Sequence, residues 1–134
     1  MTNPTGIITP VAENLKTEKF LETIVTAAED KKAGDIAILK VADICYLTDY
    51  FLIITGYSTT QVRAIEDAIE AAMELEWQQS PRQVEGKSEG SWILMDYGAI
   101  IVHIFLPKER EFYNLEAFWG HAQRIPLPSD HLEE

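Results

Sequence analysis

Tyr50-Phe51-Leu52-Ile53-Ile54-Thr55, followed directly by Gly56-Tyr57-Ser58, is the stretch that decides the fold. A six-residue run that is apolar on both of its period-2 faces reads as a strand covered on both sides, inside a sheet rather than at its edge. Gly56-Tyr57-Ser58 then turns the chain into a long helix over about residues 58–77. Ser58 and Gln61 have the Ser-x-x-Gln spacing of a capping box. Val62, Ile65, Ile69, Ala72 and Met73 recur as one apolar stripe, and Arg63, Glu66, Glu70 and Glu74 form a ridge read as solvated. On that ridge Arg63 is placed to pair Glu66 or Asp67. A covered strand that feeds an amphipathic helix implies a β-α-β crossover and at least one parallel strand pair.

The rest of the chain fits around this unit. Thr17 to Ala33 reads as a helix capped by Thr17, with Lys31 and Lys32 in its last turn and Gly34 as the left-handed residue beyond it. Phe20, Leu21, Ile24, Val25 and Ala28 make its apolar face. Asp35 to Val41 is a strand with Ile36 and Ile38 on one face and Leu39 and Val41 on the other. Downstream come a short strand near Arg82 to Glu85, a turn from Gly86 to Gly90, and two strands, Trp92 to Asp96 and Ala99 to Phe105, joined by a tight Tyr97-Gly98 hairpin. Pro107 can open a helix that runs to Gly120, with Phe112, Leu115, Phe118 and Trp119 at helical spacings. Core packing is expected to take Phe112 or Phe118. The order predicts one α/β domain with a mixed sheet of about five strands and helices on both faces. Residues 1–16 read as a flexible arm, 17–120 as the folded domain and 121–134 as a tail.

Composition bounds the function. At 134 residues and 46% apolar content the chain supports one real core. No apolar run approaches the ~18 residues that span a bilayer. The first sixteen residues lack the basic start of a leader peptide, so a cytoplasmic, membrane-free location is expected. Twenty-two acidic residues against eleven basic ones give a net charge of −11, and the longest basic run is Lys31-Lys32. Phosphate backbones are bound with Lys and Arg, so little direct RNA contact is expected and a basic protein partner suits the field better. The single cysteine, Cys45, cannot form an internal disulfide.

Chemistry finds little support. The Gly56-Tyr57-Ser58 turn at a helix start could hold phosphate, as in a nucleotidyltransferase. Glu66 and Asp67 are adjacent on a helix, however, and are not expected to converge on one metal as alternating strand carboxylates would. Ser58 is most simply a helix cap. Asp96, His103 and either Ser58 or Cys45 could be assembled into a hydrolase triad, but there is no Gly-x-Ser-x-Gly elbow, and Asp96 with His103 reads equally well as a cross-strand polar pair. His103, His121 and His131 lack metal-ligand spacing, so neither metal nor cofactor is expected. Trp92, Tyr97, His103, Phe112, Tyr113, Phe118 and Trp119 cluster within residues 92–119, and aromatics of this kind serve cores and binding hot spots alike. Trp92, Leu94 and Asp96 share one strand face, which is costly to bury because of Asp96 and well suited to docking.

Several segments together resemble the ribosomal silencing factor (Iojap-like) family: Asp49 to Ser58, Glu85-Gly86, Trp92 to Gly98, Val102-His103-Ile104-Phe105, Arg110-x-Phe112-Tyr113-x-Leu115-Glu116, and Trp119. The likeness runs from about Phe20 to Trp119. Ala99 departs from it where the family commonly has an acidic residue, and Tyr46 where a small polar residue is usual. The resemblance implies a nucleotidyltransferase-like fold without the catalytic carboxylates, and no enzyme activity. It implies binding to ribosomal protein L-fourteen of the large subunit, on the face that meets the small subunit. Subunit joining is thereby blocked and translation lowered when nutrients are short. Homodimers are a further implication. The residues expected at the protein contact are Trp92, Leu94, Asp96, Tyr97, His103, Arg110, Tyr113 and Trp119. A nucleotide-binding relic at Gly56–Ser58 and a small hydrolase using His103 are the alternatives.

Overall fold

A computed structural model describes residues 10–127. The elements in chain order are α1 (Pro10–Asp30), β1 (Gly34–Lys40), β2 (Tyr50–Thr55), α2 (Thr59–Trp77), β3 (Gln83–Glu85), β4 (Trp92–Asp96), β5 (Ile100–Phe105), α3 (Pro107–Tyr113), α4 (Leu115–Phe118) and β6 (Gln123–Ile125). They build one mixed sheet in the order β3-β4-β5-β2-β1-β6. Among the described strands only β2 and β5 run parallel, joined by the crossover through α2. All six residues of β2 are buried, as its two-sided apolarity predicts.

One sheet face is sealed. Leu21, Ile24 and Val25 of α1 and Val62, Ile65, Ile69 and Met73 of α2 close over Ile38, Leu52, Ile54, Ile93, Met95, Val102 and Ile104. The opposite face carries Ala37, Leu39, Val41, Phe51, Ile53 and Phe105, and is covered in part by Leu115 and Trp119.

Several expectations are corrected. Helix α1 begins at Pro10 rather than at Thr17, because proline's fixed φ and missing N–H suit the first turn of a helix. Residues 10–16 are therefore helical, and Thr17 is a largely buried interior residue rather than a cap. Residues 1–9 of the expected arm lie outside the described part. Lys31 and Lys32 fall beyond the helix, and Lys32, not Gly34, takes the left-handed conformation (φ 64°). The amide of Ala33 donates to the Ala28 carbonyl at 3.1 Å and that of Lys32 to Glu29 at 2.9 Å, the two bonds of a Schellman cap. Gly34 is needed for another reason: a Cβ there would lie 2.0 Å from the Tyr57 hydroxyl. The expected tail contributes a sixth strand, since β6 pairs with β1 through Lys40 and Gln123, Leu39 and Arg124, and Ile38 and Ile125. Residues 128–134 of that tail lie outside the described part.

The segment after Pro107 is two short helices rather than one. Asn114 adopts a left-handed φ of 46° and breaks the period between them. Leu115 and Trp119 consequently reach the sheet, while Phe112 and Phe118 are 78% and 76% exposed, so neither is core.

Candidate functional site

Helix α2 starts as the capping-box spacing predicts. The Gln61 amide donates to Ser58 Oγ at 3.0 Å, and the Tyr57 amide donates to Gln61 Oε1 at 2.7 Å. Gln61 Nε2 also donates to the carbonyls of Lys31 and Lys32, tying α2 to the end of α1. The Gly56 amide donates to the Phe105 carbonyl at 2.9 Å. The Gly56 and Tyr57 amides of the turn are thus engaged within the fold.

The solvated-ridge reading fails at Glu66, whose side chain is fully buried. Glu66 and Asp67 converge after all, with Lys87 Nζ 2.9 Å from Glu66 Oε1 and 2.9 Å from Asp67 Oδ1. Glu66, Asp67 and Glu70 bring carboxylate oxygens within 4.8 Å of one another, and the Lys87 ammonium supplies the positive charge there. Arg63 pairs neither acid. Its Nε and Nη2 donate to the carbonyls of Lys87 at 2.9 Å and Ser88 at 2.7 Å, fastening the β3–β4 loop to α2. Burial, reinforced by Glu70, pushes the Glu66 carboxyl up to about 7 despite Lys87. Lys87 is itself raised by the same two acids.

The other sheet face is where the expected contact residues meet. The register sets them in rows across β4, β5 and β2: Trp92–Phe105–Thr55, Leu94–His103–Ile53, and Asp96–Ile101–Phe51. Asp96 therefore faces Ile101, not His103, and its Oδ1 accepts the Gly98 amide at 2.8 Å to shape the hairpin. Trp92 Nε1 donates to His103 Nδ1 at 3.2 Å. The Trp92 ring stacks on Phe105 at 4.9 Å and leans on Tyr113 at 4.6 Å, while Phe51 meets Trp119 edge-on at 5.2 Å. Burial alone holds the His103 imidazole down at about 4, so it is neutral at physiological pH, and its Nε2 has no partner. A catalytic base needs a nucleophile within reach. His103 instead sits among Trp92, Phe51 and Phe105, and Ser58 is occupied as a cap.

Trp92, Leu94, Asp96, His103, Tyr113 and Trp119 are thus brought to one face, Arg110 reaches the same face through Thr55, and Tyr97 is not there. Tyr97 lies on the sealed side with its hydroxyl enclosed, its ionisation pushed up by burial and by Glu70, Glu66 and Glu74. Arg110 is an internal brace. It forks onto both oxygens of Glu116 at 3.0 Å and donates to Thr55 Oγ1 at 2.8 Å, while Arg124 joins Glu116 at 2.7 Å. Arg110 accordingly holds the Glu116 carboxyl below its usual range. Residue type alone does not separate a bracing arginine from a docking one. Sequence reading missed Phe51, Ile101 and Phe105 as members of this face, although the two-residue period places Ile101 and Phe105 beside His103. A shallow hollow of about 190 Å³ lined by Glu85, Gly86, Trp92 and Leu94 opens at the β3–β4 edge. None of the described helices is long and apolar enough to cross a membrane.

Comparison with known proteins agrees with this architecture. A family model described as "Ribosomal silencing factor during starvation" matches residues 14–134. The ribosomal silencing factor of Bacillus subtilis is 38% identical over 110 residues, covering 82% of this chain and 92% of that protein. The chloroplastic Iojap protein of Zea mays is 40% identical over 112 residues, covering 83% of this chain. The chain spans about half the length of the plant Iojap proteins it matches, 48% in Zea mays and 51% in Arabidopsis thaliana. Among solved structures, one from Bacillus halodurans superposes with a TM-score of 0.72 at 34% identity, over 82% of this chain and 99% of that one. One from Chromobacterium violaceum gives 0.74 at 29% identity, over 83% and 91%. The bacterial relatives are named as silencing factors rather than as enzymes. The chain belongs to the ribosomal silencing factor family.

Proposed function

We propose that this protein silences ribosomes by docking on ribosomal protein L-fourteen of the large subunit and obstructing the approach of the small one, lowering translation when nutrients are short. The observation that carries the reading is the half-covered sheet face. Trp92 and Leu94 offer an apolar anchor there, and Asp96 stands beside them in an acidic chain of net charge −11. Apolar and aromatic side chains rimmed by charge are the anatomy of a protein interface, and the negative field favours a basic protein over RNA phosphates. Obstruction needs only affinity and bulk. A folded chain of this length has a radius of gyration of about 14 Å, enough to hold two flat surfaces apart. The reading calls on no catalysis and no cofactor.

Sucrose-gradient sedimentation with purified subunits tests this. The protein is expected in the large-subunit fraction and to shift joined ribosomes towards free subunits. Leu94→Asp is expected to abolish both effects while leaving the melting temperature within ~3 °C, since Leu94 is only half-buried. Equal recovery with both subunits, or none with the large one, refutes the reading.

A further inference from the structure

We propose that the loop joining β1 to β2 is a second docking element, seated on the same basic protein as the Trp92 face. The partner's identity rests on the function proposed above; the loop's role rests on its own geometry. Within four residues Ile44 is 48% exposed, Leu47 is 83% exposed and Tyr46 is fully exposed. The loop that presents them is fixed. The Val41 amide donates to the Asp49 carbonyl at 2.8 Å, that of Ile44 to Val41 at 2.9 Å and that of Asp49 to Ala99 at 3.0 Å. Val41 and Cys45 turn inward onto the cluster containing Phe51 and Ile101. Inward residues thus hold the loop to the sheet while its largest apolar side chains are directed at water. Contiguous exposed apolar side chains with polar neighbours mark interaction sites.

This patch adjoins the Trp92 face. The row Asp96–Ile101–Phe51–Leu39 leads across β4, β5, β2 and β1 towards the loop. Three strand spacings put Leu39, at the loop end of β1, about 14 Å from Asp96, and Leu94 and Trp92 lie two and four residues further along β4, about 7 and 13 Å. An ordinary interface of roughly 800 Å² per partner is a disc about 30 Å across, so one partner covers both elements. Asp43 and Asp49 flank the patch along the chain and are exposed, and Asp96 stands at the end of the Trp92 face nearest the loop. An apolar centre with a carboxylate rim fits a protein carrying Lys and Arg around apolar residues. The same carboxylates repel nucleic-acid phosphates and anionic lipid headgroups.

The test titrates fluorescently labelled full-length protein with purified large subunits. It compares wild type, Tyr46→Ala/Leu47→Ser, Leu94→Asp and the control Leu75→Ser, and adds melting temperature and light scattering for each. Leu75 is exposed on α2, on the opposite side of the sheet. The loop variant is expected to weaken binding at least tenfold with melting temperature and mass unchanged, and Leu75→Ser to match wild type. If Leu94→Asp abolishes binding and the loop variant binds as wild type, the loop proposal is overturned and the proposed function stands. If wild type does not bind the large subunit, the proposed function falls and takes the loop's partner with it. If the loop variant changes only the oligomeric mass, the patch is a contact between copies of this chain and the proposal is overturned.

Discussion

Replacing Glu66 by Gln should uncover a pH dependence of stability that the wild-type protein conceals. Two buried groups titrate in overlapping windows with opposite signs. The Glu66 carboxyl is raised from 4.5 to about 7, so between those values the folded state keeps a proton that the unfolded chain has released. Stability therefore falls as pH rises through that window. The His103 imidazole is lowered from 6.5 to about 4, so there the unfolded chain holds a proton that the folded state lacks. Stability rises as pH climbs from about 4 to 6.5. Each displacement is worth at most about 3 kcal/mol, at roughly 1.4 kcal/mol per pH unit. Asp67 and Glu116 are lowered from 3.8 and 4.5, so their windows lie below pH 5.

From pH 5 to 7 the wild-type contributions nearly cancel, and its unfolding free energy should change by less than about 1 kcal/mol. Glu66→Gln leaves only the His103 contribution, so its stability should rise by about 2 kcal/mol over that interval. His103→Gln leaves only Glu66 and should fall by a similar amount. Urea unfolding at pH 5, 6 and 7 reads this directly, with a constant m-value showing that the denatured state has not changed. A Glu66→Gln curve as level as wild type would refute the proposed burial of that carboxyl.

Lys87→Met should cost about 2 kcal/mol at pH 8, where Glu66 is ionised and left unpaired, and markedly less at pH 5, as read by urea midpoints at the two pH values. Gly86→Ala should lower the thermal midpoint by several degrees, because Gly86 has φ 88° and an added Cβ would meet the Trp92 carbonyl oxygen at 2.0 Å. Arg110→Ala should destabilise by about 2–3 kcal/mol in denaturant titrations, since it strips Glu116 of its forked partner and frees Thr55.

What the sequence made legible follows from periodicity. The unbroken apolarity of residues 50–55 placed β2 inside the sheet, and the Ser58–Gln61 spacing placed the start of α2 at the correct residue, because both signals are local. The alternation in Trp92-Ile93-Leu94-Met95-Asp96 correctly set three side chains on one face. Local signals failed where distant partners decide. Glu66 occupies a polar position of a well-formed amphipathic helix, and only a lysine 21 residues downstream makes its burial tolerable. Arg110 and Tyr97 carry residue types suited to docking, and no local signal told that Glu116 braces the one and the carboxylates of α2 lie near the other. Gln123–Ile125 is too short for period-2 reading, and β1 supplies the pairing that makes it a strand.

The unequal cover of the two sheet faces sets the proposed docking surface apart from the side that carries most of the stability. On the sealed side α1 and α2 bury the large aliphatic residues of every long strand, so that side carries most of the fold's apolar burial. On the other side the left-handed Asn114 splits the last helical segment. Leu115 and Trp119 are thereby sent down onto Phe51, while Leu94 and Ile101 are left only half-buried. A continuous helix over residues 107–120 would hold its stripe along the sheet and cover more of that face. Two short helices pinned by the Arg110–Glu116–Arg124 brace cover only part of it. If the proposed docking face and loop are correct, single substitutions at Leu94 or in the 44–47 loop should alter recognition without unfolding the molecule, whereas changes at Phe51 or Trp92 should alter both.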